Sequence, residues 1–270
     1  MSFDGHHTRD DDPDMSQTIT TVNALRERLL GDAPPIAVSF ADEITDADIE
    51  QARQDGLDVA ELRIDRYSSF DPQHVTTQVQ RFSAFPTIAT IRTQAEGGEW
   101  VGSDEDRLGL FRAILPLVHG VDIELSSMAI LPDLIAEAHR QEKVVIVSNH
   151  NFESTPTLGE LEAMARRAKE LGADFVKLSA MTRSTEDLQT LAGFLLRNSG
   201  LGLIVIGMGA HGTASRVFFP ALGSRLTYAY AVKWPVSGQL TFDQTFDMLR
   251  TFSPEFNEKK ISELQLLEGA

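Results

Sequence analysis

The sequence predicts a single (β/α)8 barrel, or TIM barrel. Three observations carry that prediction. Strand-like and helix-like segments alternate from Pro35 to near residue 252 with no linker between them. Helix-start signals recur at the head of nearly every helical segment. Polar residues collect where the predicted strands end, which is where a barrel builds its site. A doubly wound open sheet is the alternative, but GMGAHG lacks the spacing of a dinucleotide or phosphate-loop fingerprint.

The segments follow in order. Residues 1–17 read as a disordered acidic tail and 18–270 as one barrel domain, with a short helix in TVNALRERLLGD. IAVSF (36–40) is the first strand, and TDADIEQARQDG a helix capped by Thr45 and stopped at Gly56. DVAELRID (58–65) is the second strand. The next helix begins with Asp71 as cap and Pro72 in its first turn. PTIATIR (86–92) is the third strand, followed by a Gly97-Gly98 turn and a helix from Ser103 to Gly120. VDIEL (121–125) is the fourth strand, and LPDLIAEAHRQE the helix after it.

KVVIVSNH (143–150) is the fifth strand, with Val144, Ile146, Ser148 and His150 on one face. Thr157 and Glu160 form a capping box for the following helix, which Gly172 closes. DFVKLSAM is the sixth strand. STEDLQTLAGFLLRNSG is the next helix, LGLIVIGMG (201–209) the seventh strand, and 213–222 a short helix. LTYAYAV (226–232) is the eighth strand, and TFDQTFDMLRTF the last helix, boxed by Thr241 and Gln244.

Composition narrows the function. The 270 residues include 24 basic and 40 acidic ones, for a net charge of −16. Such a chain repels nucleic acid and anionic membranes. Only six of the basic residues are lysines, a balance suited to a high-salt cytoplasm and a halophilic source. No apolar run is long enough to span a bilayer, and the acidic N-terminus is unlike a signal peptide, so the expected location is cytoplasmic. Met15 is an alternative start. The absence of cysteine excludes disulfides and thiolate metal sites, and His6 and His7 on an acidic tail read as inert.

Lys177 is the sharpest chemical signal. It shares a strand face with Phe175, Ser179 and Met181, so alternation points it into the barrel. A desolvated lysine is the residue type that forms imines with ketones, since its neutral amine is the nucleophile. The structural alternative is a lysine that reaches the rim or pairs with Glu124. His150 ends the adjacent strand, where an imidazole can move protons near neutral pH. Ser39, Glu61, Arg63, Arg92, Asp122 and Glu124 lie late on strands one to four. Each alone reads as an ordinary ion pair or small interior residue; together they mark one end of the barrel.

These residues sit within motifs that resemble the type I 3-dehydroquinate dehydratases, Schiff-base barrel enzymes of the shikimate pathway. The resemblance spans Pro35 to Gln239 and rests on AELRID, the IRTxxEGG stretch around Arg92 and Glu96, VDIEL, SNHNFESTP, FVKLSAM, GMGxxGxxSR ending at Arg216, and SGQ ending at Gln239. It implies that Lys177 forms the imine with 3-dehydroquinate. His150 then removes the C2 proton and protonates the departing C1 hydroxyl, a syn elimination. Glu96 orients His150 and favours its charged form. Arg216 pairs with the substrate carboxylate, Glu61, Arg63 and Arg92 hold the ring hydroxyls, and Ser39 and Gln239 line the pocket. No metal or organic cofactor is implied, and relatives suggest a homodimer by analogy. One departure stands out: Pro235 occupies a position where relatives often carry a serine, with Ser237 the nearest substitute. A class I aldolase and a non-catalytic scaffold barrel are the competing readings. The SNHNFESTP and EGG motifs oppose the first, and the presence of Lys177, His150 and Glu96 together opposes the second.

Overall fold

The computed structural model describes residues 24–230 and 238–268. Eight parallel strands follow one another around a nearly closed barrel: β1 (Ile36–Phe40), β2 (Val59–Arg63), β3 (Thr87–Thr90), β4 (Gly120–Glu124), β5 (Val144–Asn151), β6 (Phe175–Met181), β7 (Leu203–Met208) and β8 (Thr227–Ala229). β1 pairs with both β2 and β8. At the seam between β7 and β8, the Arg225 N–H donates to Leu203 O at 2.8 Å and the Val205 N–H to Ser224 Oγ at 3.1 Å.

The helices sit where the caps predict. Helix α1 covers residues 24–30. The barrel helices are α2 (Asp46–Gln54), α3 (Pro72–Gln80), α4 (Asp104–Ile114), α5 (Leu131–Arg140), α6 (Leu158–Glu170), α7 (Thr185–Arg197), α8 (Ser215–Ala221) and α9 (Phe242–Phe252). Thr45, Thr157, Ser184 and Thr241 each cap through reciprocal side-chain and backbone bonds, which satisfy donors the helix itself leaves open. A tenth helix, α10 (Pro254–Glu268), goes beyond the sequence reading, which ends at α9.

Some boundaries differ from expectation, for local reasons. The helix expected to run to Gly120 stops at Ile114 and gives way to a 3-10 turn containing Pro116, whose ring cannot continue an α-helix. β7 begins at Leu203 because Gly202 adopts a left-handed conformation after the 3-10 turn Ser199–Leu201. β2 ends at Arg63, where another 3-10 turn begins. The expected acidic tail, Met15, Pro235 and Ser237 lie outside the described residues. Among the described residues, no helix is long and apolar enough to cross a membrane.

Side-chain alternation divides the core in two. Outward-facing residues such as Val176, Leu178 and Val205 pack under the helices. Inward-facing residues, including Ile88, Ile146, Phe175, Ile204 and Tyr228, fill the barrel together with Leu25 and Leu29 of α1. Leu25 thus plugs the barrel's N-terminal end, and Gly120 leaves it room: a Cβ there would lie 2.8 Å from Leu25 Cδ2. The apolar plug leaves the other end for chemistry.

Asp58 ties that closed end together. Its buried carboxylate accepts the Ile36 N–H of β1 at 3.1 Å, Arg28 of α1 at 2.6 Å, and Lys259 and Lys260 of α10 at 3.0 and 2.8 Å. Burial alone would raise its pKa, but Lys260, Lys259 and Arg28 outweigh burial and hold it below the usual carboxylate range. Asp58→Asn leaves the buried Lys260 ammonium only the partly exposed Glu263 carboxylate, 2.9 Å away, as counter-charge. It should cost about 3–5 kcal/mol in urea unfolding; a loss below about 1 kcal/mol would show that the ion cluster contributes little.

Candidate active site

β5 and β6 run side by side in a register that sets Ser148 beside Lys177 and His150 beside Ser179. The strand period of two turns Lys177 into the barrel above Phe175, as the sequence reading expects. Its Nζ lies 2.9 Å from Asp122 Oδ2 and 3.4 Å from Glu61 Oε1, and 4.1 Å from the centre of the Tyr228 ring. The alternative pairing with Glu124 does not occur. Glu124 is held by Arg107 of α4, by Ser127 Oγ at 3.0 Å, and by Arg92 at 3.5 Å.

A layer of buried charge surrounds the amine. Arg92 donates to Asp122 Oδ1 and to Ser148 Oγ, both at 2.7 Å. Ser148 in turn donates to Asp122 at 2.6 Å. Ser39, in register with Glu61, donates to its carboxylate, as does Thr90 at 3.1 Å. Burial opposes the ionisation of Asp122, but Arg92 and Lys177 outweigh it and hold the carboxyl well below its ordinary range. Glu61 is likewise lowered against burial by Lys177 and Arg63. Arg63 forks onto Asp65 at 2.9 and 2.7 Å.

His150 lies just past the buried part of β5, which ends at Ser148. Its own N–H donates to Glu96 Oε2 at 2.9 Å, and its Nδ1 lies 3.2 Å from the same oxygen. Glu96 sits on a 3-10 turn, Gln94–Glu96, and its other oxygen accepts Ser126 Oγ at 2.7 Å. The EGG motif has a steric basis here. Gly97 has φ +75°, and a Cβ on it would lie 2.5 Å from the Phe152 ring. A Cβ on Gly98 would lie 2.1 Å from the Arg92 carbonyl oxygen. The Phe152 ring stacks on the imidazole with centroids 6.4 Å apart.

Most of the surroundings of His150 in the free site oppose its charge, while Glu96 lies against its Nδ1. Burial, then Arg92 and Lys177, push the imidazole pKa well below its ordinary value. Burial also raises Glu96. The contact with Glu96 orients the ring, while the surroundings hold it neutral and able to accept a proton.

Arg216, in the first turn of α8, is buried, and its Nε has no hydrogen-bond partner among the described residues. Burial lowers its pKa to about 10, so it stays charged at neutral pH. A buried guanidinium with a free donor is suited to an anion. Ser39, Glu61, Arg63, Arg92, Glu96, His150, Lys177, Arg216 and Gln239 all line one cavity of about 570 Å3 at the C-terminal ends of the strands. The structure therefore brings together every site residue named from the sequence. Sequence reasoning missed Tyr228, Arg107 and Ser126. Tyr228 was visible only as one residue in an alternating strand, and Arg107 reads as a surface charge in DEDRLGLF.

Comparison with known proteins decides the family. The model of the type I 3-dehydroquinase family matches residues 35–254. The chain belongs to the type I 3-dehydroquinase family. It is 31% identical to the 3-dehydroquinate dehydratase of Methanococcoides burtonii over 215 residues, 78% of this chain and 91% of that one. With the Methanosarcina mazei protein of the same name, identity is 36% over 67% of this chain and 78% of the relative. Among solved structures, the type I 3-dehydroquinate dehydratase of Clostridium difficile, with covalently modified comenic acid, superposes with a TM-score of 0.76. Its identity is 26%, with 82% of this chain and 92% of that chain covered. The Aquifex aeolicus enzyme gives 0.74 at 30% identity, covering 82% and 99%. Membership of the 3-dehydroquinase family makes the chain a hydro-lyase and removes the aldolase and scaffold readings.

One buried histidine, His119, and one partly buried one, His150, should give the stability a pH dependence. His119 accepts the Thr87 N–H on Nδ1 at 3.2 Å, and burial followed by Lys143 lowers its pKa to about 4. His150 is lowered too. Below the ordinary imidazole pKa of about 6.5 the unfolded chain binds protons that the folded chain refuses. Unfolding free energy should therefore fall as pH drops from about 6.5 towards 4. Denaturant titrations across that range check the slope, and NMR should find both imidazoles neutral at pH 6. A flat profile, or ordinary titration of both rings, contradicts the assignment.

Proposed function

We propose that this cavity dehydrates 3-dehydroquinate to 3-dehydroshikimate through an imine on Lys177. The observation that carries the reading is a buried lysine set between two carboxylates, beside a neutral imidazole, in the pocket that holds Arg216. The covalently modified comenic acid in the Clostridium difficile relative supports a covalent route.

His150 takes a proton from the Lys177 ammonium, and the freed amine attacks the C3 ketone. The same proton then leaves with the carbinolamine hydroxyl as water, giving a protonated imine. Asp122 and Glu61 offset its positive charge, which sits where the ammonium was. The iminium draws electrons from the C2–H bond, so His150 can remove that proton to give an enamine. Expulsion of the C1 hydroxyl, protonated by His150, releases a second water and leaves a conjugated imine. Hydrolysis consumes one water and frees the amine, so one water is lost overall. The lysine itself provides the electron sink, and the scheme uses neither metal nor organic cofactor.

Arg216 binds the substrate carboxylate with its unfilled donor. Glu61, Arg63 and Arg92 hold the ring hydroxyls with the capacity their own pairs leave free. Ser39 and Gln239 complete the wall. Glu96 positions His150.

The same reading places the enzyme in the cytoplasm, with no nucleic-acid partner at a net charge of −16, as a homodimer adapted to high salt. Light scattering after size exclusion tests the dimer. An unfolding midpoint unchanged from low to molar salt removes the salt adaptation.

Borohydride added with 3-dehydroquinate should fix the ligand mass on the peptide containing Lys177. Lys177→Ala should abolish both trapping and turnover. His150→Ala should still trap ligand, though more slowly, while turnover falls by at least about 100-fold. No adduct on the Lys177 peptide refutes the imine, and near-normal turnover in His150→Ala refutes the proton-transfer role.

A further inference from the structure

We infer that Arg107, a fully buried residue of α4 outside the cavity, is a positioning residue that sets the Glu96–His150 pair from behind. The inference rests on the proposed proton-transfer role of His150.

Arg107 spends its donors in three directions. Its Nε donates to Ile91 O at 2.8 Å, at the end of β3. Nη1 donates to Ser127 Oγ at 2.8 Å, and Nη2 to Glu124 Oε2. No part of the side chain is exposed, and Arg107 does not line the catalytic cavity. A guanidinium placed so deep is costly unless its partners are held in place. Those partners are the ends of β3 and β4, the two strands whose loops reach Glu96.

Two arms lead from Arg107 to that carboxylate. In the first, Glu124 Oε1 accepts the Thr93 N–H at 2.8 Å and Thr93 Oγ1 at 3.3 Å. Thr93 precedes the 3-10 turn, and its carbonyl accepts the N–H groups of Glu96 at 3.1 Å and Gly98 at 2.9 Å. The position of Thr93 therefore sets that of Glu96. In the second arm, Ser127 is fixed by Arg107 and by Glu124, whose carbonyl accepts its N–H at 3.0 Å. The adjoining Ser126 donates to Glu96 Oε1 at 2.7 Å. One arm places the turn and the other aims the carboxylate. Glu96 Oε2 is then left for the N–H and the ring of His150.

A planar guanidinium spans these three acceptors at fixed angles, which an ammonium cannot do. Arg107→Lys keeps a buried cation beside Glu124 and loses the span. Misplacing a reacting group by about 1 Å can cost about 100-fold in rate. The variant should lose about 10- to 100-fold in kcat with a much smaller change in KM, because of the groups that hold the substrate only Arg92 touches this network, at 3.5 Å from Glu124. Should Arg107→Lys fold poorly, Ser126→Ala at the exposed end of the second arm tests the same route with a smaller fall in kcat.

The deciding measurement is a double-mutant cycle with Glu96→Ala. If Arg107 acts through Glu96, adding Arg107→Lys to Glu96→Ala lowers kcat no further. Multiplying losses, or an unchanged kcat in a destabilised Arg107→Lys, overturn the inference. Borohydride trapping on each variant keeps the two levels apart. Missing adduct in the wild type refutes the imine reading itself, whereas normal trapping with normal turnover in both Arg107→Lys and Ser126→Ala refutes only the positioning role.

Discussion

The site depends on keeping a lysine ammonium charged and dry inside a barrel. Lys177 lies nearly buried, and burying an isolated ion costs several kcal/mol even after relaxation. Asp122 and Glu61 offset that cost and incur one of their own, met by Arg92, Arg63 and three hydroxyl donors. The result is an interlocked layer of opposite charges in which each group is tolerable only because of its neighbours. Removing one member leaves an unpaired buried charge, so the layer holds the strands' register as well as the amine.

That layer also sets the chemistry of the imidazole. The cations that neutralise Asp122 and Glu61 act on His150 as well, and with burial they hold it neutral. A neutral imidazole is the form that can accept a proton. One arrangement of charge thus acts on two groups in opposite ways: carboxylates surround the Lys177 amine, and the neighbouring cations disfavour a charged His150. Arg216 stands apart: among the described residues no carboxylate pairs with it and its Nε has no hydrogen-bond partner, which suits the proposed role in binding an anion.

The two ends of the barrel divide the work. Leu25 and Leu29 close the N-terminal end with apolar surface, and Asp58 ties α1, β1 and α10 around it. The C-terminal end buries charge and holds the cavity. Behind the cavity, Arg107 and Glu124 tie the end of β4 to the segment that follows β3.

The sequence by itself determined the eight strands, the helices up to α9 and the inward face of β6. These follow from local rules: a period of two along strands, a period of 3.6 along helices, and caps at the turns. Strand ends pointed to Ser39, Glu61, Arg63, Arg92, His150 and Lys177 as cavity residues. The family resemblance added Glu96, Arg216 and Gln239, but Tyr228 was missed and Glu124 does not line the cavity. Pro116 and Gly202 moved boundaries by a few residues, for reasons equally local. What the chain could not disclose was who faces whom. Lys177 meets Glu61 across 116 positions and Asp122 across 55, a choice made when the barrel closes and the strands take up their shear. Glu124, equally plausible on alternation, is turned away by Arg107, whose burial no helical pattern announces. Tertiary structure decided the pairings, because the field at a buried charge depends on distances that only closure creates.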